Sequence, residues 1–301
     1  MEGKIIKAIA GFYYIHTHGG RVFACRARGL LRKEGVKPLV GDDVVFEVLS
    51  EEKKEGSLTR VLPRRNQLLR PAAANVDQAL IVFAVREPDP NLNLLDRFLV
   101  SMERQGIPVL ILFNKTDLDR RAEALMLRQI YEAAGYRVFC GSLKASWETE
   151  EEKREQAALK ACLLGKTTIL AGPSGVGKSS LTNLLSEKAR MEVGALSEKI
   201  RRGKQTTRHT ELFCFSEDSY LLDTPGFTSL MLPGLSPEEL KAYFPEFQKP
   251  AQSCKFSGCV HIGETAEICG VRRALTEGSL SAVRYENYRK IYEELREAER
   301  Y

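Results

Sequence analysis

The 301-residue sequence predicts an OB-fold-like β-barrel over residues 1–71, an α/β domain with a mostly parallel sheet over 72–232, and a mostly helical metal-binding domain over 233–301. Three observations predict this arrangement. The first segment is a series of short β-branched and aromatic runs broken by glycines and prolines. The second alternates apolar runs with helical repeats and holds a glycine-rich turn between a strand and a helix. The third gathers three cysteines and a histidine ahead of a charged helix.

Length allows two or three domains with at least one sizeable core. Hydrophobic content of 43% and charged content of 28% are those of a soluble globular protein. No apolar run approaches the ~20 residues needed to span a bilayer, and Met1-Glu-Gly-Lys-Ile-Ile-Lys lacks the apolar core of a signal peptide. The expectation is a cytoplasmic protein with no membrane partner. Seven cysteines is an odd count, and cytosolic thiols stay reduced, so clustered cysteines suggest metal rather than disulfides.

In the first segment, Phe12–Ile15, Arg21–Arg26 and Asp43–Val48 are strand-like, and Gly19-Gly20 and Pro38-Leu-Val-Gly41-Asp42 punctuate them. A barrel of about five strands fits, and an SH3-like barrel would give nearly the same pattern. The net charge of +5 is concentrated here. Residues 1–71 carry 14 Lys+Arg against 8 Asp+Glu, whereas 72–232 are neutral and 233–301 carry −1. Arg26, Arg28, Arg32, Lys33 and Lys37 cluster around the middle turns, and Arg60, Arg64, Arg65 and Arg70 follow the last strand. Such a surface would draw a polyanion; a merely solvated face is the competing reading.

In the second segment, Ala79–Val85 is a continuous apolar run, as in a strand covered on both faces. Leu95, Phe98, Leu99 and Met102 repeat at helical spacing before Gly106. Val109–Phe113 is the next strand, followed by a helix over roughly 122–134, a strand over 137–140, and a helix from the acidic run at 148–152 to about Leu164. Thr167–Ala171 is the strand before the glycine-rich turn. In the third segment Pro233, Pro237 and Pro245 mark a boundary, and 282–300 read as a charged helix.

Three motifs carry chemistry. Gly172-Pro173-Ser174-Gly175-Val176-Gly177-Lys178-Ser179-Ser180 lies between strand and helix, so its backbone N–H groups can cradle phosphates. Lys178 would neutralise the β and γ oxygens, and Ser179 would bind Mg²⁺. Asp223-Thr-Pro-Gly226 follows Tyr220–Leu222; Asp223 would hold Mg²⁺ through water and the Gly226 N–H would meet a γ-phosphate. Asn114-Lys115-Thr116-Asp117 at a strand's C-terminal end would select the base. One carboxylate, Asp117, can accept both the N1–H and N2–H₂ donors of guanine, and adenine offers no such pair. Gly141-Ser142-Leu143-Lys144 would back the base, or is a plain turn. The base motif precedes the phosphate motif, the reverse of the usual order. Termini that lie close together permit such a rotated chain. The segment near 223–232 then leads directly into the C-terminal domain, which could receive a nucleotide-dependent shift.

Cys254-x4-Cys259-x-His261-x7-Cys269 supplies three thiolates and an imidazole, one tetrahedral shell for structural zinc. The spacing departs from the usual Cys-x2-Cys, and buried free cysteines are the competing reading. Cys25, Cys140, Cys162 and Cys214 sit on apolar stretches and read as core residues. An ordinary surface or core role is expected of His16 and His18.

The set resembles the circularly permuted GTPases of the RsgA (YjeQ) type. The likeness covers nearly the whole chain: Ala27-Arg28-Gly29, Val40-Gly41-Asp42-Asp43-Val44, Arg70-Pro71, Asn75-Val76-Asp77-Gln78, Leu95-Asp96-Arg97-Phe98, the three nucleotide motifs in rotated order, and the Cys/His cluster. The resemblance implies a circularly permuted α/β P-loop GTPase domain between an N-terminal OB-fold and a C-terminal zinc domain. It implies a monomer acting in late maturation of the small (30S) ribosomal subunit, contacting its 16S rRNA and hydrolysing GTP to GDP and phosphate under that subunit's stimulation.

The catalytic position departs from expectation. The Gln that follows Asp-x-x-Gly in Ras-like GTPases is Phe227 here, which cannot orient water. The family resembled usually places His before the Thr pair of its switch loop; in this chain that position is Gln205. Gln205 can orient water through its amide, Thr207 resembles the Thr that senses Mg²⁺ and the γ-phosphate, and His209 is a rival for the water. An RNA-binding assembly protein using GTP only as a switch is the competing function, with Gln205 as its support. A P-loop ATPase is a third, which Asp117 opposes.

Overall fold

A computed structural model describes residues 1–29, 31, 35–68, 71–144, 149–193, 210–223 and 232–299, the side chains of 186–193 and 223 excepted. The strands are β1 (Glu2–Ile9), β2 (Phe12–His16), β3 (Val22–Ala27), β4 (Asp43–Ser50), β5 (Glu55–Val61), the short pair β6 (Gln67–Leu68) and β7 (Ala73–Ala74), then β8 (Gln78–Ala84), β9 (Val109–Asn114), β10 (Arg137–Gly141), β11 (Thr167–Ala171), β12 (Glu211–Ser216) and β13 (Ser219–Asp223). The longer helices are α1 (Leu92–Arg104), α2 (Glu123–Ala133), α3 (Glu150–Leu163), α4 (Lys178–Val193), α5 (Gly270–Thr276) and α6 (Ala282–Ala298). Among the described residues no helix is long and apolar enough to cross a membrane. The chain forms two compact bodies. One comprises 1–80, 156–171 and 178–227; the other comprises 81–155, 172–177 and 228–301.

In the first body, β1 pairs with β2 and β4, β2 with β3, β3 in parallel with β5, and β5 with β4. That circuit closes a five-stranded barrel of OB type. Ile5, Ile15, Phe23, Cys25, Val44, Phe46 and Leu58 fill the interior without exposure. Each contributes roughly 1.5–3 kcal/mol by leaving water. Strands β1 and β5 carry Lys, Glu, Ser and Thr between their buried residues, and β5 places glycine, Gly56, on its inner face, so their apolar alternation is weak. The composition of the first segment signals a barrel, while these two strands show only through their pairing.

Two acidic residues of the Val40–Val44 motif serve as anchors. Asp42 is fully buried, accepts from Arg64 Nε at 2.7 Å and Nη2 at 2.9 Å, and takes the Leu39 N–H at 2.7 Å. Asp43 accepts from Lys4 Nζ at 2.7 Å and Asn75 Nδ2 at 3.1 Å. Arg64 is thus a structural cation, and Arg65 pairs likewise with Asp77. Arg26, Lys37 and Arg60 are exposed.

The same body continues beyond the barrel. Strand β11 pairs in parallel with β13, β13 antiparallel with β12, and β12 antiparallel with β1 through Lys7 opposite Glu211.

In the second body, β8, β9 and β10 lie side by side with β9 and β10 parallel. Their apolar runs are buried on both faces, as a helix-covered parallel sheet requires. Helix α1 starts at Asn91, whose side chain accepts from the Leu94 N–H, and buries Leu95, Phe98, Leu99 and Met102. It also buries Asp96. That carboxylate receives Arg284 Nη1 at 2.5 Å, Asn287 Nδ2 at 2.6 Å and Tyr131 OH at 3.0 Å. Arg284, itself fully buried, completes its fork on Glu246 at 2.7 and 3.1 Å. Burial opposes the charge, but Asp96 and Glu246 hold the guanidinium well above its ordinary pKa. Around this network Phe244, Phe247, Tyr285, Tyr288 and Tyr292 form an aromatic core.

Candidate functional site

The Asn114–Asp117 motif begins where β9 ends. The run Val109–Phe113 is buried, so the strand's last residue, Asn114, is delivered buried at the C-terminal edge of the sheet, where α/β folds bind ligands. Its amide is divided between two loops. Nδ2 donates to the Val176 carbonyl at 2.6 Å, and Oδ1 accepts from the Leu143 N–H at 2.9 Å. One side chain therefore holds the phosphate loop on one side and the Gly141–Lys144 loop on the other.

Lys115 adopts a left-handed backbone with φ 64° and reaches the Glu87 carbonyl with its ammonium. A single helical turn, Thr116–Leu118, leaves Asp117 exposed. Asp119 then accepts the N–H groups of Arg121, Glu123 and Ala124 at 3.1, 3.0 and 2.9 Å, which secures the start of α2. Desolvation works to raise its pKa, yet those three donors hold it below the ordinary carboxylate range.

The phosphate loop requires glycine at two places. Gly172 has φ 139°, and a Cβ there would lie 2.1 Å from the Val82 carbonyl oxygen. Gly177 has φ 104°, and a Cβ there would lie 2.1 Å from Asn114 Nδ2. Between them Val176 is buried and plugs the loop inward, Pro173 is half-buried, and Ser174 and Gly175 are exposed. The chain then enters α4 with Lys178 half-buried and Ser179 and Ser180 exposed in its first turn. Strand β13 brings the backbone of Asp223 opposite Leu170, two positions before the loop. Gln205, Thr207 and Gly226, with the rival His209, lie outside the described residues.

The Cys/His cluster assembles from a knuckle and a helix start. His261 Nδ1 lies 3.6, 3.3 and 3.4 Å from the sulfurs of Cys254, Cys259 and Cys269, and the Cys254 and Cys269 sulfurs are 3.9 Å apart. All four donor atoms fall within 4.8 Å of one another. Tetrahedral zinc with Zn–S near 2.3 Å and Zn–N near 2.05 Å sets edges of about 3.8 Å between sulfurs and about 3.6 Å from sulfur to nitrogen. The residues fit such an ion. Cys254 also accepts from the Gly270 N–H at 3.3 Å, and Cys269 caps α5 by accepting from Arg272 N–H at 3.4 Å. Burial lowers His261 to about 4, with Lys241 acting in the same direction, so the imidazole is neutral at pH 7, the form a metal takes.

The knuckle's carbonyls are held from outside. Tyr285 OH donates to His261 O and Tyr288 OH to Val260 O, each at 2.6 Å, and Lys241 Nζ donates to Cys259 O at 2.8 Å. These supports are absent from the sequence reading. Their signal is the run Tyr285, Tyr288, Tyr292 at helical spacing on α6. Of the four cysteines read as core, Cys25 is fully buried and Cys140, Cys162 and Cys214 are half-buried. His16 is not an isolated histidine: its Nδ1 lies 2.9 Å from Tyr220 OH.

Comparison with known proteins agrees with this geometry. The family model of the RsgA GTPase matches residues 61–233, and that of the RsgA N-terminal domain matches residues 2–58. A protein of Agathobacter rectalis named small ribosomal subunit biogenesis GTPase RsgA is 49% identical over the whole of both chains. One of the same name from Alkaliphilus metalliredigens is 45% identical over all of this chain and 99% of its own. Among solved structures, YloQ, described as a circularly permuted GTPase, superposes with a TM-score of 0.77 at 36% identity, covering 99% of this chain and 95% of its own. YjeQ from Thermotoga maritima gives 0.77 at 33% identity and 98% of each chain.

Proposed function

The chain belongs to the RsgA family of circularly permuted GTPases, and on that premise we propose that it hydrolyses GTP to GDP and phosphate on the small (30S) ribosomal subunit during late maturation. The observation that carries the reading is the Asn114 amide, which ties the Gly172–Gly177 loop to the Gly141–Lys144 loop and so supports reading the two as parts of one guanine-nucleotide site. Asp117 receives the guanine N1–H and N2–H₂ donors, and Lys115 lies alongside, tied to the Glu87 carbonyl. The N–H groups of Gly172–Gly177 and the ammonium of Lys178 bind the β- and γ-phosphates, with Ser180 at the helix start. Ser179, Thr207 and Asp223 would hold Mg²⁺, which when bound would neutralise charge on the phosphate oxygens. Gln205 positions the attacking water, and Thr207 senses the γ-phosphate. Positioning and charge suffice for this chemistry, and a strong base is not needed.

Residues 1–71 and 233–301 flank the GTPase segment 72–232 as two grips on 16S rRNA, the second closed by one structural zinc on Cys254, Cys259, His261 and Cys269. The protein works as a cytoplasmic monomer. Multiple-turnover GTP hydrolysis with and without purified small subunits tests the reading. Stimulation, with co-sedimentation in a nonhydrolysable GTP analogue, is expected. A rate indifferent to the subunit overturns it.

A further inference from the structure

Glu211 is the first residue of β12 and is paired on both sides. Across β13 it stands directly opposite Asp223; across β1 it stands directly opposite Lys7. Directly opposed positions of antiparallel strands lie on one face of the sheet. Three charged positions, Lys7, Glu211 and Asp223, thus lie in a row from the barrel to the end of β13. The Lys7 ammonium lies 2.9 Å from the Glu211 carboxylate, and the two side chains remain 31% and 42% exposed.

Strand β1 is shaped for this contact. Its register against β2 shifts between Ile5 and Lys7, so one extra residue, Ile6, enters the strand. Bulges of this kind re-aim the side chain that follows. Strand β4 pairs with β1 only over Glu2–Lys4, and β12 takes up β1 at Lys7, just beyond the bulge.

The hairpin is stitched a second time at its other end. His16 Nδ1 of β2 lies 2.9 Å from Tyr220 OH of β13, the two rings meet edge-on at 5.7 Å, and Lys4 lies 5.8 Å from the Tyr220 ring centre. His18 and Asp218 meet at 3.0 Å beside the turn. Both strands of the hairpin are therefore fastened to the barrel, and the hairpin's last residue is Asp223.

We propose that Lys7 and Glu211 are positioning residues through which a polyanionic partner on the barrel acts on the nucleotide site, by fixing the strand register that places Asp223. The inference rests on the functional reading above and assigns its subunit stimulation a route. A displacement of β1 by a ligand on the barrel moves Glu211, and through the shared ladder moves Asp223, without passing through residues 233–301. Lys7 and Glu211 belong to none of the three nucleotide motifs, so their effect belongs to the stimulated rate and not to the basal one.

The test is a double-mutant cycle on the full chain: Lys7→Gln, Glu211→Gln, both together, and Lys7→Arg as the conservative variant. Hydrolysis is read alone and at saturating small subunits, with co-sedimentation affinity and GDP affinity measured beside it. Each single Gln variant is expected to keep basal turnover within about twofold and to lose about tenfold of the stimulation. The double variant should lose no more than either single one, and Lys7→Arg should retain stimulation. Loss at Lys7 without loss at Glu211 means that Lys7 simply contacts the partner, and overturns the coupling. So does a stimulation defect that disappears at saturating subunit, or one matched by lost GDP affinity. Stimulated native protein with equally stimulated variants refutes this inference alone. An unstimulated native protein refutes the functional reading and this inference with it.

Discussion

Asn114 shows how much of a site one residue can hold and how little of that is legible beforehand. As part of Asn-Lys-Thr-Asp it marks the end of a strand, and Asp117 three positions on is the residue proposed to read the base. Its bonds to Val176 and Leu143, 62 and 29 positions away, follow only from the fold. Gly177 depends on that amide: a methyl group would meet Asn114 Nδ2 at 2.1 Å on a backbone at φ 104°. Gly177→Ala is expected to weaken GDP binding by tenfold or more in calorimetry while the rest of the fold persists. Asp117→Asn is expected to cost about 100-fold in GTP affinity by leaving the guanine donors unpaired, and to admit xanthosine triphosphate in its place. Unchanged GTP affinity removes Asp117 from the role. Arg64 teaches the opposite lesson. Read from sequence it belongs to a basic patch, but buried Asp42 takes it for the barrel's own turn.

At the scale of elements, periodicity is a good guide wherever burial is one-sided or complete. Helix α1 and strands β8 and β9 lie where apolar spacing puts them. It fails for β1 and β5, whose polar residues dilute the pattern and whose place is set by their neighbours. It is also silent about Asp96, a charge in the buried stripe of α1. Removing one partner of a buried pair costs about 3–5 kcal/mol, because the other charge stays behind. Asp96→Ala leaves Arg284 with Glu246 alone, and Arg284→Ala strands two carboxylates, so the second variant is expected to melt lower than the first. An inverted order in thermal unfolding contradicts the network described here. The metal knuckle makes a separate claim. Cys259→Ser, or chelation of the native protein, is expected to release one zinc and open 254–269 to proteolysis, since structural zinc contributes folding energy directly. Protein purified without zinc, and equally resistant to protease, counts against it.

For the whole molecule, the rotated motif order has a consequence for how the chain comes to be made. The barrel needs nothing beyond residue 61 to complete its circuit of strands. The nucleotide half is different, because β13 lies between β11 and β12, and both strands of that hairpin are among the last parts of the sheet in the chain. Lys7 waits for a partner 204 positions downstream. At about 5–20 residues per second of synthesis, that interval is on the order of 10–40 s. For that time β1 sits in a finished barrel with its bulged flank unpaired, and Asp223 has yet to be translated. A newborn chain thus acquires its basic barrel well before the residues that would bind magnesium. The basic barrel is finished first, the β12–β13 hairpin much later, and residues 233–301 after both.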